Sequence, residues 1–307
     1  MTRPAVAQPA VVRPVVTRFV LPLLLLALGV FGAAGQPRAA ELKLATWNLE
    51  WLTLRPAGDP ALPGNVRPKG PDALALLRRY AAALDADVVA LQEVDGPEAA
   101  ARVFPPERYA VVTTDDAVVQ RVGFAIRRGI AFERNPDLAA LDVNAPGAER
   151  RLRSGADVTL LLPGGRLRLL AVHLKTGCQE EKLSRSSRRN CETLRLQLPA
   201  LQGWIRLRRE EGVPFVLAGD FNRSMDGRDE VFAALDAAAP LLRATEGQST
   251  PCWGGNTFID HILAGGAARG WMVPDSLRVL VYRETGPAAR ALLPDHCPVS
   301  VRLRVPD

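Results

Sequence analysis

The sequence has little histidine, little cysteine and few aromatic residues: three histidines, four cysteines and 6% aromatics in 307 positions. No Cys-x-x-Cys pair occurs, which sets aside the common structural zinc frameworks. No uninterrupted apolar run reaches the roughly 20 residues that a membrane-spanning helix needs. The best candidate, Phe19 to Phe31, is short and is broken by Pro22 and Gly29. Strong charge of one sign is missing as well. The 39 basic and 33 acidic residues give +6, and with Arg3, Arg13 and Arg18 removed the balance falls to +3. A charge that mild neither demands nor excludes a polyanionic partner. Internal repeats and linker-like stretches are absent too. A chain with 48% hydrophobic residues is then read as one large domain with a substantial core.

What is present begins with a leader. Met1 to Arg18 carries those three arginines and no acid, an apolar run follows, and small residues come next at Gly32, Ala33, Ala34 and Gly35. Basic, apolar, small is the order of a secretory signal. The expectation is a leader over residues 1–40, cleaved after Ala34, Gly35 or Ala40, and a functional domain over residues 41–307. An uncleaved anchor is the alternative. The predicted location is secreted or periplasmic, without stable membrane insertion once the leader is removed. An even number of cysteines suits that compartment. Cys178, Cys191, Cys252 and Cys297 allow three pairings. Pairing Cys178 with Cys191 closes a loop of 12 intervening residues and leaves Cys252 for Cys297. A loop of that length is stabilised by about 3 kcal/mol in the chain-entropy model.

Hydrophobic patterning predicts strands at Leu42–Asn48, Asp87–Val94, Tyr109–Thr114, Val122–Arg127, Ala156–Leu162 and Leu167–Leu174, with Gly164-Gly165 turning the last two into a hairpin. Further strands are expected at Phe215–Phe221, Thr257–Leu263, Leu277–Tyr282 and Val299–Val305. Helical spacing marks Asp72–Leu84, Cys191–Glu211 and Glu230–Asp236, with Pro199 expected to kink or restart the long one. Strands with interspersed helices suggest an α+β domain in which two sheets pack face to face with helices outside.

The polar groups are placed unusually. Val216-Leu217-Ala218-Gly219-Asp220-Phe221-Asn222 is an apolar run ending in a carboxylate and a carboxamide two positions apart, which strand alternation puts on one face. All three histidines, His173, His261 and His296, lie in or beside apolar runs, and His261 and His296 directly follow Asp260 and Asp295. Asn48 and Glu93 end two other runs. Core packing does not account for this clustering, because carboxylates are rarely buried without partners.

Six segments carry a resemblance: Thr46-Trp47-Asn48, Leu91-Gln92-Glu93-Val94, Val172-His173-Leu174, Gly219-Asp220-Phe221-Asn222, Ile259-Asp260-His261-Ile262 and Asp295-His296-Cys297-Pro298-Val299. In this order they resemble the endonuclease/exonuclease/phosphatase superfamily, the fold of pancreatic deoxyribonuclease, exonuclease III, abasic-site endonucleases, neutral sphingomyelinases and inositol polyphosphate phosphatases. The resemblance runs from about residue 42 to the end and implies a four-layered α/β sandwich, two packed sheets flanked by helices. It also implies that Glu93, with Asn48 beside it, holds Mg2+ (or Mn2+), an assignment that oxygen donors suit. Asp295 would support its loop or a second metal position. Asp260 would orient His296, which handles the proton of the attacking water or binds phosphate if Asp220 is the base. His173 would donate to a phosphate oxygen, and Asp220 and Asn222 would position the water and the phosphate. His261, adjacent to Asp260 in a strand, should face away from the site. Lys175, two residues beyond His173, is a candidate phosphate ligand. So is the basic loop of Lys182, Arg185, Arg188 and Arg189 between the first two cysteines, for which a solvated surface is the plain alternative.

The implied function is an exported, metal-dependent phosphodiesterase, first of all a nuclease with nucleic acid as substrate. A sphingomyelinase-type enzyme is the second reading. It calls for an exposed aromatic hairpin, and neither Trp253 nor Trp271 sits in one by sequence. Phosphomonoester or inositol-phosphate hydrolysis follows, and a non-catalytic binding module comes last.

Overall fold

Alternation along single strands decides the layering. In the computed structural model, which describes residues 41–145, 147–148 and 151–306, Leu42 and Leu44 of β1 (Glu41–Leu52) enter one apolar cluster. Their neighbours Ala45, Trp47 and Leu49 enter another, on the opposite face. The chain continues through α1 (Pro71–Leu84), β2 (Val88–Val94), α2 (Pro97–Ala101), β3 (Tyr109–Thr113) and β4 (Arg121–Arg127). It then lays down β5 (Ala131–Arg134), β6 (Ala156–Leu162), β7 (Gly165–His173), α3 (Arg189–Glu211), β8 (Phe215–Asp220), α4 (Glu230–Asp236) and β9 (Leu241–Arg243). A small pair, β10 (Ser249–Thr250) and β11 (Asn256–Thr257), precedes β12 (Asp260–Gly265) and α5 (Ala268–Trp271). Finally β13 (Arg278–Val279), α6 (Gly286–Leu292) and β14 (Val299–Arg304) return to the starting sheet.

The first sheet has the order β13-β14-β1-β2-β4-β3 and the second β5-β6-β7-β8-β12-β9. Their inner faces share one core, with Leu44, Val88 and Phe124 from the first meeting Val158, Leu169, Val216 and Ile262 from the second. Outside the first sheet, Leu77 of α1 and Phe104 pack on Trp47. Outside the second, Leu194 and Trp204 of α3 and Val231 of α4 cover Leu170 and Leu217. Helices, sheet, sheet, helices is the four-layered arrangement that the sequence led us to expect.

Three details differ from expectation. The helix α3 runs unbroken through Pro199. The ring removes one backbone donor, but Leu194, Leu198, Leu201 and Trp204 are buried along one side, and that burial holds the helix until Gly212, at φ 67, ends it. The strand expected over Thr257–Leu263 is divided between β11 and β12, and the one over Leu277–Tyr282 shrinks to Arg278–Val279. Tyr282 instead packs edge-on against Tyr80 of α1, with ring centroids 4.8 Å apart.

Both cysteine pairs form, Cys178 with Cys191 and Cys252 with Cys297. No helix among the described residues is long and apolar enough to cross a membrane. The expected leader, residues 1–40, lies outside the described residues.

Candidate active site

In the second sheet, alternation alone carries three polar side chains to one end of the inter-sheet space. Val216 and Ala218 of β8 face the inner core, so Asp220 does too. The parallel neighbour β7 sets His173 beside Asp220, and the antiparallel neighbour β12 sets Asp260 on its other side. His173 Nε2 lies 3.5 Å from Asp220 Oδ2. The strands approach so closely here that a Cβ on Gly219 would sit 2.0 Å from the Val172 carbonyl oxygen. His261 takes the opposite face, as its position predicted. Its ring nitrogens lie 2.6 Å from Thr245 Oγ1 and 2.8 Å from the Arg223 carbonyl oxygen. Burial pushes its pKa down to about 4, so it is a neutral packing residue.

The first sheet reaches the same place by breaking alternation. Val89 and Leu91 of β2 face the outer core, and Glu93 by parity should follow them. Instead Glu93 adopts φ 59, the strand pairing shifts between Leu91 and Val94, and the carboxylate turns toward Asn48. Across from it, β1 shifts register between Asn48 and Leu52, with Glu50 and Trp51 also at positive φ. Asn48 Nδ2 donates to Glu93 Oε1 at 3.2 Å and to Asp220 Oδ2 at 3.1 Å, so one carboxamide ties the rims of both sheets together. Its oxygen accepts from the Glu50 backbone N–H at 2.9 Å and keeps one lone pair. Asn222 joins Asp220 as expected, but for a different reason. The strand ends at Asp220, and Asn222 turns back at φ 51, its N–H donating to Asp220 Oδ1 at 2.8 Å and its Nδ2 to Asp220 Oδ2 at 3.2 Å.

His296 comes from the loop before β14. Its Nδ1 donates to Asp260 Oδ2 at 2.7 Å, leaving Nε2 facing Asp220 Oδ2 and Asp295 Oδ1, both at 3.8 Å. Burial alone would lower its pKa, but Asp260 and Asp220 outweigh that and raise it well above the ordinary histidine value. Burial raises Asp220 to about 7, with Asp260 adding to the rise and His296, Asn222 and Asn48 opposing it. Asp220 is thus poised near neutral pH beside a ring whose carboxylate neighbours favour its charged form. His173 is held well below its ordinary value, first by burial and then by the charges of Arg153, His296 and Lys175. The His296 backbone is held as well: the Tyr282 hydroxyl donates to its carbonyl oxygen at 2.5 Å and accepts from Trp47 Nε1 at 2.9 Å.

The donor set fits a hard divalent cation. Glu93 is slightly exposed and, among the described residues, accepts the Asn48 bond and one from the Trp51 N–H, 3.2 Å each. Carboxylate oxygens remain for an ion, and Asn48 supplies a carboxamide beside them. Asp220, Asp260 and His296 bring ligand atoms within 4.8 Å of one another, and the buried Asp260 Oδ1 has no partner among the described residues. Asp295 is exposed at the mouth.

The positively charged candidates divide. Lys175 stays close enough to His173 to affect its titration. Arg188 lines a cavity of about 600 Å³ together with Asn222 and Asn256, although it is paired with Glu181. Arg185 lines a separate polar cavity with Arg223 and Asp226, and Arg189 is exposed at the start of α3, so neither is brought to the catalytic groups. Glu180 and Glu181 offset the loop's charge, which its arginine count had overstated. Sequence reasoning passed over Arg153. Its Nη2 donates to the Leu174 carbonyl oxygen at 3.2 Å, its buried Nε has no partner among the described residues, and Glu93 and Asp220 counter the burial that lowers its pKa. Nothing in Arg151-Leu152-Arg153-Ser154 set that arginine apart, since it sits in a loop without periodicity.

The model of the Endonuclease/Exonuclease/phosphatase family matches residues 45–277, most of the chain. The chain belongs to this family. Its members are hydrolases acting on phosphate ester bonds, and its nucleases and phosphatases depend on a divalent metal. Solved structures share the fold. The *Caenorhabditis elegans* protein TDP2 aligns with a TM-score of 0.58 at 14% identity, over 88% of this chain and 78% of that one. The AP endonuclease LMAP from *Leishmania major* gives 0.56 at 15%, over 87% and 88%. The 3′ phosphatase NExo from *Neisseria*, bound to a product DNA hairpin, gives 0.53 at 19%, over 85% and 99%. At such identities the likeness is one of fold. No curated protein matches the sequence.

Proposed function

We propose that the chain is an exported, divalent-metal-dependent phosphodiesterase, and specifically a nuclease that hydrolyses nucleic-acid backbones by in-line attack of water. One observation carries this reading: Asp220 stands between His173 and Asp260 across three strands, with His296 over it and Asn48 linking it to Glu93. When bound at Glu93 and Asn48, Mg2+ or Mn2+ polarises the phosphoryl oxygens and offsets charge on the leaving oxygen. The residues do the rest. Asp260 fixes the ring of His296, so Nε2 faces the reacting group. The proton of the attacking water passes to Asp220, which burial raises to about 7, while His296, whose charged form Asp260 and Asp220 favour, binds the phosphate. Asn222 holds the phosphate next to Asp220, and His173 donates to a non-bridging oxygen as charge builds there. Arg153 and Lys175 put positive charge around this centre, which suits a polyanionic backbone. The DNA-bound NExo and a *Danio rerio* TDP2 complexed with single-stranded DNA product share the fold, which supports the choice of nucleic acid. Export is supported by the leader pattern and by the two disulfides.

Purified protein without its leader, offered plasmid DNA, RNA, sphingomyelin and bis-p-nitrophenyl phosphate with Mg2+, Mn2+ or chelator, tests the proposal. Turnover of DNA or RNA that disappears in chelator and in His296→Ala is expected. Undiminished turnover in either condition overturns the mechanism. Preference for sphingomyelin or a phosphomonoester moves the substrate assignment, and no turnover of anything favours a binding module.

A further inference from the structure

We propose that the cleft beyond Trp253 is a subsite for the nucleobase flanking the scissile phosphate, with Arg290 as its cationic side. This rests on the phosphodiesterase reading and adds a specificity element to it. The catalytic cavity that holds Asp260, Asp295 and His296, about 300 Å³, and a second cleft of about 690 Å³ share Trp253 and Arg290 as a common wall. A substituent on a phosphate at His296 therefore reaches the second cleft by crossing that wall. The volume lies in the range that encloses a small organic ligand.

The lining has the chemistry of a flat heteroaromatic guest. Trp253 and Tyr282 lie with ring centroids 5.4 Å apart and planes at 51°, and Val281 exposes its side chain beside them. Arg290 Cζ sits 4.2 Å over the Trp253 ring, and among the described residues its guanidinium has no carboxylate partner. Bases stack on aromatic rings and on guanidinium planes alike, and the guanidinium charge also attracts a neighbouring phosphate. The one acid of the cleft, Glu284, is already engaged by Tyr80 and Arg79. The wall is held at a set distance from the chemistry. Trp253 has a left-handed backbone at φ 50, and its Nε1 donates to the Pro294 carbonyl oxygen at 2.9 Å. The Cys252–Cys297 bridge joins its turn to the residue after His296. Aromatic wall and catalytic histidine are thus one cross-linked unit.

The test compares kcat/KM for thymidine 5′-(p-nitrophenyl phosphate) and for methyl p-nitrophenyl phosphate, which lacks the base. Wild-type protein should prefer the thymidine ester by about tenfold, the lower range for one base contact. That ratio should collapse, mainly through KM, in Arg290→Ala and Trp253→Leu. Arg290 is exposed, so its variant carries the test even if the tryptophan variant does not fold. A calorimetric titration of wild-type protein should show adenosine 5′-monophosphate binding about tenfold more tightly than ribose 5-phosphate. An unchanged ratio in Arg290→Ala, or equal binding of the two monophosphates, overturns the subsite. If neither ester is turned over, the proposed reaction fails, and the titration by itself decides the subsite.

Discussion

The two sheets supply different chemistry by different structural means. The second sheet presents His173, Asp220 and Asp260 through unbroken alternation, so these groups are buried in the rigid end of a ladder, and the buried Asp220 and His173 have displaced pKa values. The first sheet presents Asn48 and Glu93 at a pair of register shifts, with Glu93 at positive φ and partly open to solvent. Burial displaces proton affinity, raising the Asp220 carboxyl to about 7 and lowering the His173 ring. A cation site needs oxygens that keep spare lone pairs and admit water, which a bulged rim provides. On the proposed mechanism, one rim handles protons and the other handles the metal.

Glu93→Gln should break the metal side and have the largest effect. Activity should fall on the order of a thousandfold, because several kcal/mol of charge stabilisation are lost. A thermal shift measured with and without Mg2+ separates this from misfolding. The wild type should be stabilised by the ion and the variant not, while both melt cooperatively. Equal stabilisation of the two would remove Glu93 from the metal site.

Asp260→Asn addresses the proton side and should cost about a hundredfold in kcat, the scale of losing general acid–base catalysis. The Asp260 bond to Nδ1 fixes the tautomer of His296, so the pH profile of kcat should shift along with its height. Metal-dependent stabilisation should survive in this variant. Its loss would mean that the two rims are not separable, consistent with the alternative ion position formed by Asp220, Asp260 and His296.

The same contrast explains what was legible in the sequence. Strand alternation placed Asp220, turned His261 away from Asp260 and suggested the two-sheet layering, because period-two patterning is local. Glu93 reached the site through the resemblance and not through alternation, because its inward turn depends on a left-handed residue that alternation has no way to register, and alternation gave the wrong reason for Asn222. Arg153 escaped notice because a loop arginine becomes informative only when tertiary packing buries it beside carboxylates. The basic loop was misjudged in the other direction. Arg188 is neutralised by Glu181, and Arg185 faces another cavity, pairings that charge counting does not resolve.

His261 sharpens the comparison from the far side of the second sheet, where a histidine is buried facing away from the candidate site. In the unfolded chain it takes up a proton as pH falls through about 6.5, whereas in the folded chain it resists until about 4. The unfolded state therefore binds more protons in that window, and stability is lost as pH falls. Urea unfolding should show about 2 kcal/mol of loss from this residue between pH 7 and pH 5, and the slope should flatten in His261→Gln. An identical slope in the variant would mean that the imidazole is protonated in the folded protein.

The smallest expected effect on activity tests whether the two rims communicate. Tyr282 links Trp47, next to Asn48 on the metal side, to the backbone of His296 on the proton side. Tyr282→Phe keeps the ring packed on Tyr80 but removes both hydroxyl bonds, leaving the Trp47 indole N–H and the His296 carbonyl unpaired in a buried place. Stability should drop by about 2 kcal/mol, the typical net worth of two hydrogen bonds. A purely structural tyrosine would do no more than that. If it also positions His296, kcat should fall by about tenfold with KM nearly unchanged, the sign of an interaction felt mainly in the transition state. A variant that loses stability but keeps kcat would make Tyr282 a packing residue and leave His296 positioned by Asp260 and its disulfide-braced loop.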